Sequence, residues 1–213
     1  QMGVSCPKAT EHISMLPQKK IRSLASSAPE GDWVLTQVDI TNAFNTLSRQ
    51  HMLVEVGKYL PHLMPWLNRL YKQELPLLVK GLQGNPLMSQ RGPQQGCNFG
   101  TLLFAVGIQR TIEPLNNLWL NVWYADDGTL VGPTGAVECA LMQLNQALPQ
   151  LGMSLNLSKC TTWGPGIWLP GREDLLLKAT KCIQPGKGSG IVLLGTPVAW
   201  PDPEQTFIKN FWK

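Results

Sequence analysis

The stretch Trp123–Gly128, WYADDG, places two adjacent carboxylates between apolar runs at residues 118–123 and 129–131. This pattern predicts a strand, a tight turn and a second strand, with the acids at the tip of the hairpin. Adjacent carboxylates in a partly dry setting repel one another unless a cation lies against them. A divalent ion of the magnesium type prefers oxygen ligands and suits such a turn. Asp-Gly is also common in ordinary hairpin turns, so a solvated turn is the alternative.

A second acid lies near the end of another predicted strand. Residues 32–40 alternate β-branched with other side chains and predict a strand that Asp39 ends. On its own, an acid in this position more commonly caps a helix or forms a turn. Two-metal phosphoryl transfer needs carboxylates that converge from separate strands on ions roughly 4 Å apart. Asp39 and Asp126 are the predicted pair of ligands.

Five segments, in chain order, resemble successive palm motifs of reverse transcriptases. They are Thr36–Phe44, Arg91–Ile108, Trp123–Gly132, Leu151–Cys160 and Val192–Val198. The similarity is greatest to the non-LTR retrotransposon type, with group II intron polymerases as relatives. This resemblance implies an α+β fold of the polymerase right-hand palm type, with an antiparallel sheet and helices packed on one face.

The resemblance also implies a catalytic set. Asp39 and Asp126 would ligate two Mg²⁺ ions, with Mn²⁺ as an alternative. The carbonyl oxygen of Ile40 would assist, and Asp127 would complete the acidic turn as a further ligand. Lys159 would lie near the departing pyrophosphate, where a cation offsets developing negative charge and can donate a proton. A solvated lysine at a strand end is an equal alternative for that residue.

Two further segments are implied to bind the substrate. In the first, Asn42, Ala43 and Phe44 follow the first acid, and the Phe44 ring would lie under the sugar of the incoming nucleotide. A ring there would clash with a 2′-hydroxyl and so favour deoxynucleotides. In the second, Gln95 and Gly96 would contact the nucleotide and the template. Glycine allows close backbone approach, and glutamine offers both a donor and an acceptor.

The chain departs from the family pattern in three places. Cys97 and Asn98 stand where an acid and a proline commonly follow the Gln-Gly pair. The fingers motif with a triphosphate-binding arginine is absent, and the chain stops before a helical thumb. We therefore expect a fingers-and-palm fragment. Its parts would be a partial fingers region at 1–30, the palm at 31–200 and the start of a connection towards a thumb at 201–213.

Composition predicts one compact domain without a membrane segment. The 213 residues are 43% hydrophobic, and no apolar run reaches the roughly eighteen residues that a membrane span requires. The formal net charge of +4 favours a polyanionic partner only mildly. Five widely spaced cysteines and three scattered histidines match neither a disulfide scaffold nor a zinc site. With no secretion signal, a reducing compartment is expected, either nucleus or cytoplasm.

The remaining pattern predicts the elements around the motifs. Helices are expected at 52–60, 64–71, 101–108 and 136–151, strands at 77–79, 86–88 and 155–158, and loops at 163–171 and 185–190. Pro61 should end the first of these helices. Trp163 and Trp168, in a loop, are the candidates for base stacking among eight tryptophans, most of which should be buried.

The predicted reaction is template-directed addition of deoxynucleotides to a primer 3′-hydroxyl, as in an RNA-directed DNA polymerase. Its partners would be an RNA template, a DNA or RNA primer and dNTPs; the oligomeric state is left open. A truncated, non-catalytic remnant with residual RNA binding is the first alternative. A nucleotide-sugar transferase is the second. It would explain Asp126 and Asp127 but leaves Asp39 and Gln95 without a role.

Overall fold

The computed structural model describes residues 9–28, 30–77, 81, 87–94, 96–202 and 204–212. The strands are β1 (Trp33–Val38), β2 (Leu75–Leu77), β3 (Leu87–Ser89), β4 (Leu120–Tyr124), β5 (Asp127–Pro133), β6 (Thr161–Trp163), β7 (Lys181–Ile183), β8 (Gly190–Leu193) and β9 (Thr196–Ala199). The helices are α1 (Ala9–Ser27), α2 (Ala43–Thr46), α3 (Arg49–Tyr59), α4 (Met64–Tyr71), α5 (Gly100–Ile112), α6 (Thr134–Ala147) and α7 (Thr206–Phe211). In this part of the chain, no helix has the length and apolar character needed to cross a membrane.

The central sheet has five strands in the order β4-β5-β1-β6-β7. Its pairs are antiparallel except for β6 and β7, which run parallel. Two antiparallel hairpins, β2–β3 and β8–β9, lie outside this sheet. The predicted α+β class with a mainly antiparallel sheet is therefore confirmed.

The middle strand, β1, contributes to two hydrophobic cores because successive side chains of a strand point to opposite faces. Val34 and Val38 lie in the first core, whereas Trp33 and Leu35 lie in the second. Helices α3, α5 and α6 supply much of the first core, as the prediction of helices on one face requires. The second face is covered as well, by α1 and the β8–β9 hairpin. The sheet is thus a central layer with both faces buried.

Most elements around the motifs lie where the sequence predicts them. Helix α3 ends at Tyr59, two residues before Pro61, which begins a short 3-10 turn. Helix α6 begins two residues earlier than expected and is followed by a 3-10 turn at Leu148–Leu151. A hairpin is present as β2 and β3, but β2 lies two residues earlier than the strand predicted at 77–79 and β3 one residue later than the strand predicted at 86–88. Residues 78, 79 and 86 of the predicted strands lie outside the described residues.

The strand predicted at 155–158 is wrong. Only Leu155 pairs, in an isolated bridge with Ile40, and residues 157–159 form a turn. The carbonyl of Asn156 accepts hydrogen bonds from the amides of Lys159 and Cys160, both at 3.0 Å. These local bonds turn the chain before a second ladder pair can form, and alternation alone does not reveal them.

The loop predicted at 163–171 is also more ordered than expected. Trp163 belongs to β6 and is fully buried, and Pro165–Trp168 forms a 3-10 turn. Base stacking by Trp163 is therefore excluded in this fold. Trp168 is 47% exposed, with the ammonium of Lys178 at 4.7 Å from its ring centroid.

Candidate active site

The predicted acids lie together where β1 ends and β5 begins, and both strands are interior strands of the central sheet. Strand β1 pairs with β5 so that Val38 lies opposite Gly128. Asp39 directly follows Val38 and Asp127 directly precedes Gly128, so the two acids lie at the same end of this pair of strands. The charge of Asp39 accordingly acts on the carboxyl of Asp127. The fold therefore places the first acid beside the acidic turn.

The hairpin that carries the paired acids has a two-residue turn. Tyr124 pairs with Asp127, so Ala125 and Asp126 form the turn itself. Ala125 has φ of 53°, a left-handed conformation that costs an alanine roughly 1–2 kcal/mol. A strand, a tight turn and a strand are thus confirmed, with β5 beginning at the second acid.

Gly128 gives the hairpin room for a large buried side chain. A Cβ atom at this position would lie 2.7–2.8 Å from three atoms of the Trp123 indole ring. Trp123 is only 2% exposed, and its indole N–H donates to the side-chain oxygen of Asn121 at 2.8 Å. Asp127 and Gly128 lie in β5 rather than in the turn, so the alternative of an Asp-Gly turn is wrong, and Gly128 is required by its packing against Trp123.

The three acids interact electrostatically. Burial is the largest cause that raises the pKa of Asp127 above its ordinary value, and the negative charges of Asp126 and Asp39 raise it further. A raised carboxyl pKa means that the charged form of Asp127 is disfavoured at this end of β1 and β5. A cation bound against these groups would reverse that effect.

The oxygen donors at this end of β1 and β5 are of the type that a hard divalent ion prefers. Carboxylates and a backbone carbonyl suit Mg²⁺ or Mn²⁺, and Mg²⁺ is commonly held by one or two carboxylates together with substrate phosphates and waters. Across the ranges that the structure describes, no group of three or more His, Cys, Asp or Glu side chains is arranged to hold a metal ion. The described side chains alone therefore do not form a complete metal site.

The backbone of Asp39 is held by the segment that precedes β6. The Asp39 carbonyl accepts from the amide of Asn156 at 2.9 Å, and the Asp39 amide donates to the sulfur of Cys160 at 3.3 Å. Cys160 is fully buried, and this burial is the main cause that raises the pKa of its thiol. Ile40 is buried and bridges Leu155. Together these contacts fix the end of β1.

The segment after the first acid packs its aromatic ring firmly. Phe44 is half-buried, and its ring stacks on Phe104 of α5 with centroids 4.6 Å apart and planes 14° from parallel. Ala43 is buried, whereas Asn42 is exposed and has φ of 47° at the start of α2. The Phe44 ring is therefore held in place by its packing on Phe104.

The predicted nucleotide loop is only partly described. Gln95 lies outside the described residues. Gly96 is exposed with φ of +85°, a conformation that glycine adopts without strain. Upstream, the Gly92 amide donates to the Leu47 carbonyl at 2.7 Å, which joins the loop to the turn between α2 and α3.

Lys159 is exposed in the turn at 157–159. It directly precedes Cys160, whose sulfur contacts the Asp39 backbone. The structure thus brings Lys159 to the part of the chain that supports the first acid, although not at the end of a strand.

Comparison with known proteins identifies the family. The family model described as reverse transcriptase (RNA-dependent DNA polymerase) matches residues 4–185. The chain belongs to the reverse transcriptase family. No curated protein sequence matches it significantly. Among solved structures, the telomerase of Candida albicans, in a complex with a TWJ fragment of telomeric RNA, superposes with a TM-score of 0.55 at 14% identity.

The telomerase comparison covers 71% of this reverse transcriptase domain but only 30% of the telomerase chain. At this identity the likeness concerns the fold alone, and it confirms the predicted polymerase palm. The domain accordingly belongs to a family of nucleotidyltransferases.

Cys160 supports the site in a way that the sequence pattern does not predict. It ends the Leu151–Cys160 motif, and as one of five widely spaced cysteines it fits neither a disulfide scaffold nor a zinc site. Its contact with the Asp39 amide depends on β1 and β6 being neighbours. Only the position of Cys160 in a family motif could have drawn attention to it.

Proposed function

We propose that this domain catalyses RNA-templated addition of dNTPs to a primer 3′-hydroxyl by a two-metal mechanism. The observation that carries the proposal is the pairing of β1 with β5, which brings Asp39 beside Asp126 and Asp127, in a chain of the reverse transcriptase family. Burial and the charges of Asp126 and Asp39 raise the pKa of Asp127, and a bound cation would favour its charged form. An origin in a non-LTR retroelement, and residence in the nucleus or cytoplasm, belong to the same proposal.

In this mechanism the acids hold the reacting groups in place. Asp39 and Asp126 bind the divalent ions, helped by the Ile40 carbonyl and by Asp127. When bound, Mg²⁺ supplies activation of the attacking hydroxyl and charge neutralisation on the triphosphate. The Asp39 carbonyl accepts a hydrogen bond from the Asn156 amide, and the Asp39 amide donates one to the Cys160 sulfur. These bonds limit the movement of Asp39, so less ordering is needed when substrate binds.

The nucleotide is positioned by the segments on either side of the acids. Phe44, supported by Phe104, excludes a 2′-hydroxyl and so selects dNTPs. Gln95 and Gly96 contact the nucleotide and the template, and Lys159 offsets charge on the leaving pyrophosphate. Within the domain, residues 1–30 serve as partial fingers, 31–200 as the palm and 201–213 as the start of a connection towards a thumb.

The test is Mg²⁺-dependent primer extension on an RNA template by the 213-residue chain and by Asp126→Asn. Loss of one ligand should lower kcat/KM by about 10³-fold, since a metal ion contributes several kcal/mol of charge stabilisation. Asp174→Asn, which neutralises an exposed acid in another loop, is the matched control and should leave the rate unchanged.

Three outcomes are informative. Extension that Asp126→Asn abolishes supports the polymerase. Extension that survives this substitution overturns the assigned ligands. A folded wild-type chain that binds RNA but extends no primer identifies the non-catalytic remnant instead.

A further inference from the structure

Helix α3 begins with a buried arginine that the mechanism above does not use. Arg49 is only 7% exposed. Its Nε donates to the Gly92 carbonyl at 2.9 Å, its Nη2 donates to the Ser89 hydroxyl at 2.6 Å, and its Nη1 donates to the Ser89 carbonyl. A guanidinium presents its donors as a rigid planar fork, so one side chain can hold two residues at once.

The segment that Arg49 binds, residues 89–92, also packs directly on α2, which carries Phe44. The Gly92 amide donates to the Leu47 carbonyl at 2.7 Å, and Gly92 has φ of +64°. A Cβ atom added to Gly92 would collide with the Phe44 carbonyl oxygen. The backbones of this segment and of α2 are therefore in contact. Arg49, which follows α2 in the chain, binds the segment at Ser89 and Gly92.

Tyr71 extends these contacts towards the predicted nucleotide loop. Its ring centroid lies 5.4 Å from the guanidinium carbon of Arg49, and its hydroxyl accepts from the Gln94 amide at 3.2 Å. Burial first, and a hydrogen bond with Cys97 second, raise the pKa of Tyr71 to about 12, so the hydroxyl stays protonated at neutral pH. Arg49 and Tyr71 thus bind the two ends of the segment at 89–94, Arg49 at Ser89 and Tyr71 at Gln94.

We propose that Arg49 is a positioning residue that sets the distance between Phe44 and the segment at 89–94, and thereby the affinity for the incoming nucleotide. This inference rests on the proposed polymerase function. A lysine in place of Arg49 keeps the charge but cannot make the three bonds of the planar fork.

The test compares Arg49→Lys with the wild-type chain in primer extension and in amide hydrogen exchange. Because loosening the loop affects nucleotide binding more than chemistry, KM for dNTP should rise about tenfold, as expected for lost hydrogen bonds to a charged group, while kcat stays within about twofold. The amides of Gly92 and Gln94 should exchange faster. Arg69→Lys, an exposed arginine on α4, is the matched control and should change neither readout.

Ser89→Ala supplies a milder variant in case Arg49→Lys unfolds. It removes one accepting hydroxyl and leaves the buried charge with its carbonyl partners. KM should again rise without a matching fall in kcat, although by less than in Arg49→Lys.

The results separate this inference from the function on which it rests. Two results would overturn the positioning role of Arg49. One is a fall in kcat with an unchanged KM for dNTP, and the other is unchanged amide exchange at Gly92 and Gln94 in a folded Arg49→Lys chain. A wild-type chain that extends no primer overturns the proposed function. In that event, exchange at the same two amides still decides whether Arg49 holds the loop.

Discussion

At the scale of single residues, the state of the acidic turn depends on what surrounds each carboxyl. Asp127 begins β5 and is half-buried, and both burial and the neighbouring acids raise its pKa. A carboxyl whose pKa is raised by folding contributes stability below its unfolded pKa and loses that contribution as pH rises through its folded pKa. At neutral pH in the absence of metal, the charged Asp127 therefore opposes folding.

We accordingly expect Asp127→Asn to raise Tm at pH 7 without divalent ions. A gain of about 2–4 °C corresponds to ~1 kcal/mol in a chain of this size. The gain should shrink as pH falls through the raised pKa of Asp127, because the wild-type carboxyl becomes neutral there, and it should also shrink in Mg²⁺. Thermal unfolding followed by circular dichroism measures this, with Asp174→Asn as the control. A variant that is less stable than wild type at pH 7 would contradict the electrostatic explanation.

The positions of Asp39, just after a strand, and of Asp126, in a hairpin turn, could be predicted at this scale, because local alternation and turn composition require no tertiary information. Their catalytic roles are implied only by the family resemblance and stay a prediction. The burial of Arg49 could not be predicted. An arginine at the start of a helix is usually solvated, and its burial here follows from the carbonyls of Ser89 and Gly92 in a segment forty residues away.

At the scale of elements, the β4–β5 hairpin depends on the pairing of Trp123 with Gly128 across its strands. The indole ring occupies the space where a side chain at residue 128 would lie. Adding even one methyl group must displace this ring or the strand, and the acids sit at the end of the same hairpin.

We expect Gly128→Ala to lower the free energy of unfolding by about 1–3 kcal/mol through overpacking. Gly135, in the first turn of α6, is the matched control because a Cβ atom there meets nothing within 4 Å. Gly135→Ala should raise the free energy of unfolding by about 0.5–1 kcal/mol, since alanine loses less entropy in a helix. Urea unfolding gives both values, and equal effects of the two substitutions would show that the ring contact is unimportant.

Elements with strong periodicity were predictable, and the short ones were not. Helices α3 to α6 follow apolar spacing that one face of a helix requires. Strands β6 to β9 have only three or four residues each, too few for alternation to be recognised, and they lie among Pro and Gly residues. Their existence is decided by partners far away in the chain, such as β1 for β6.

At the scale of the whole molecule, the two cores join α1 to the palm. Ile21 of α1 is fully buried in the second core with Trp33 and Val131, which belong to the sheet strands that carry the acids. The helix within the predicted fingers region at 1–30 therefore shares a core with the predicted palm at 31–200.

This shared core predicts cooperative unfolding. Ile21→Ala should lower the free energy of unfolding by about 2–5 kcal/mol in a single transition, because it leaves a cavity in the second core. Val54→Ala is the control, since Val54 on α3 is 53% exposed and its truncation should change the free energy by less than about 0.5 kcal/mol. Two separate transitions in urea, or an Ile21→Ala chain as stable as wild type, would indicate that α1 folds apart from the palm.

The strand order β4-β5-β1-β6-β7 leaves β4 and β7 as the outer strands of the central sheet. An unpaired strand edge invites a second molecule to add its own strand, which is a common route to aggregation. Strand β7 is only three residues long and begins with the exposed Lys181. A short edge that carries a cation is a poor template for such addition. The short, charged β7 therefore disfavours pairing between the central sheets of two molecules at this edge.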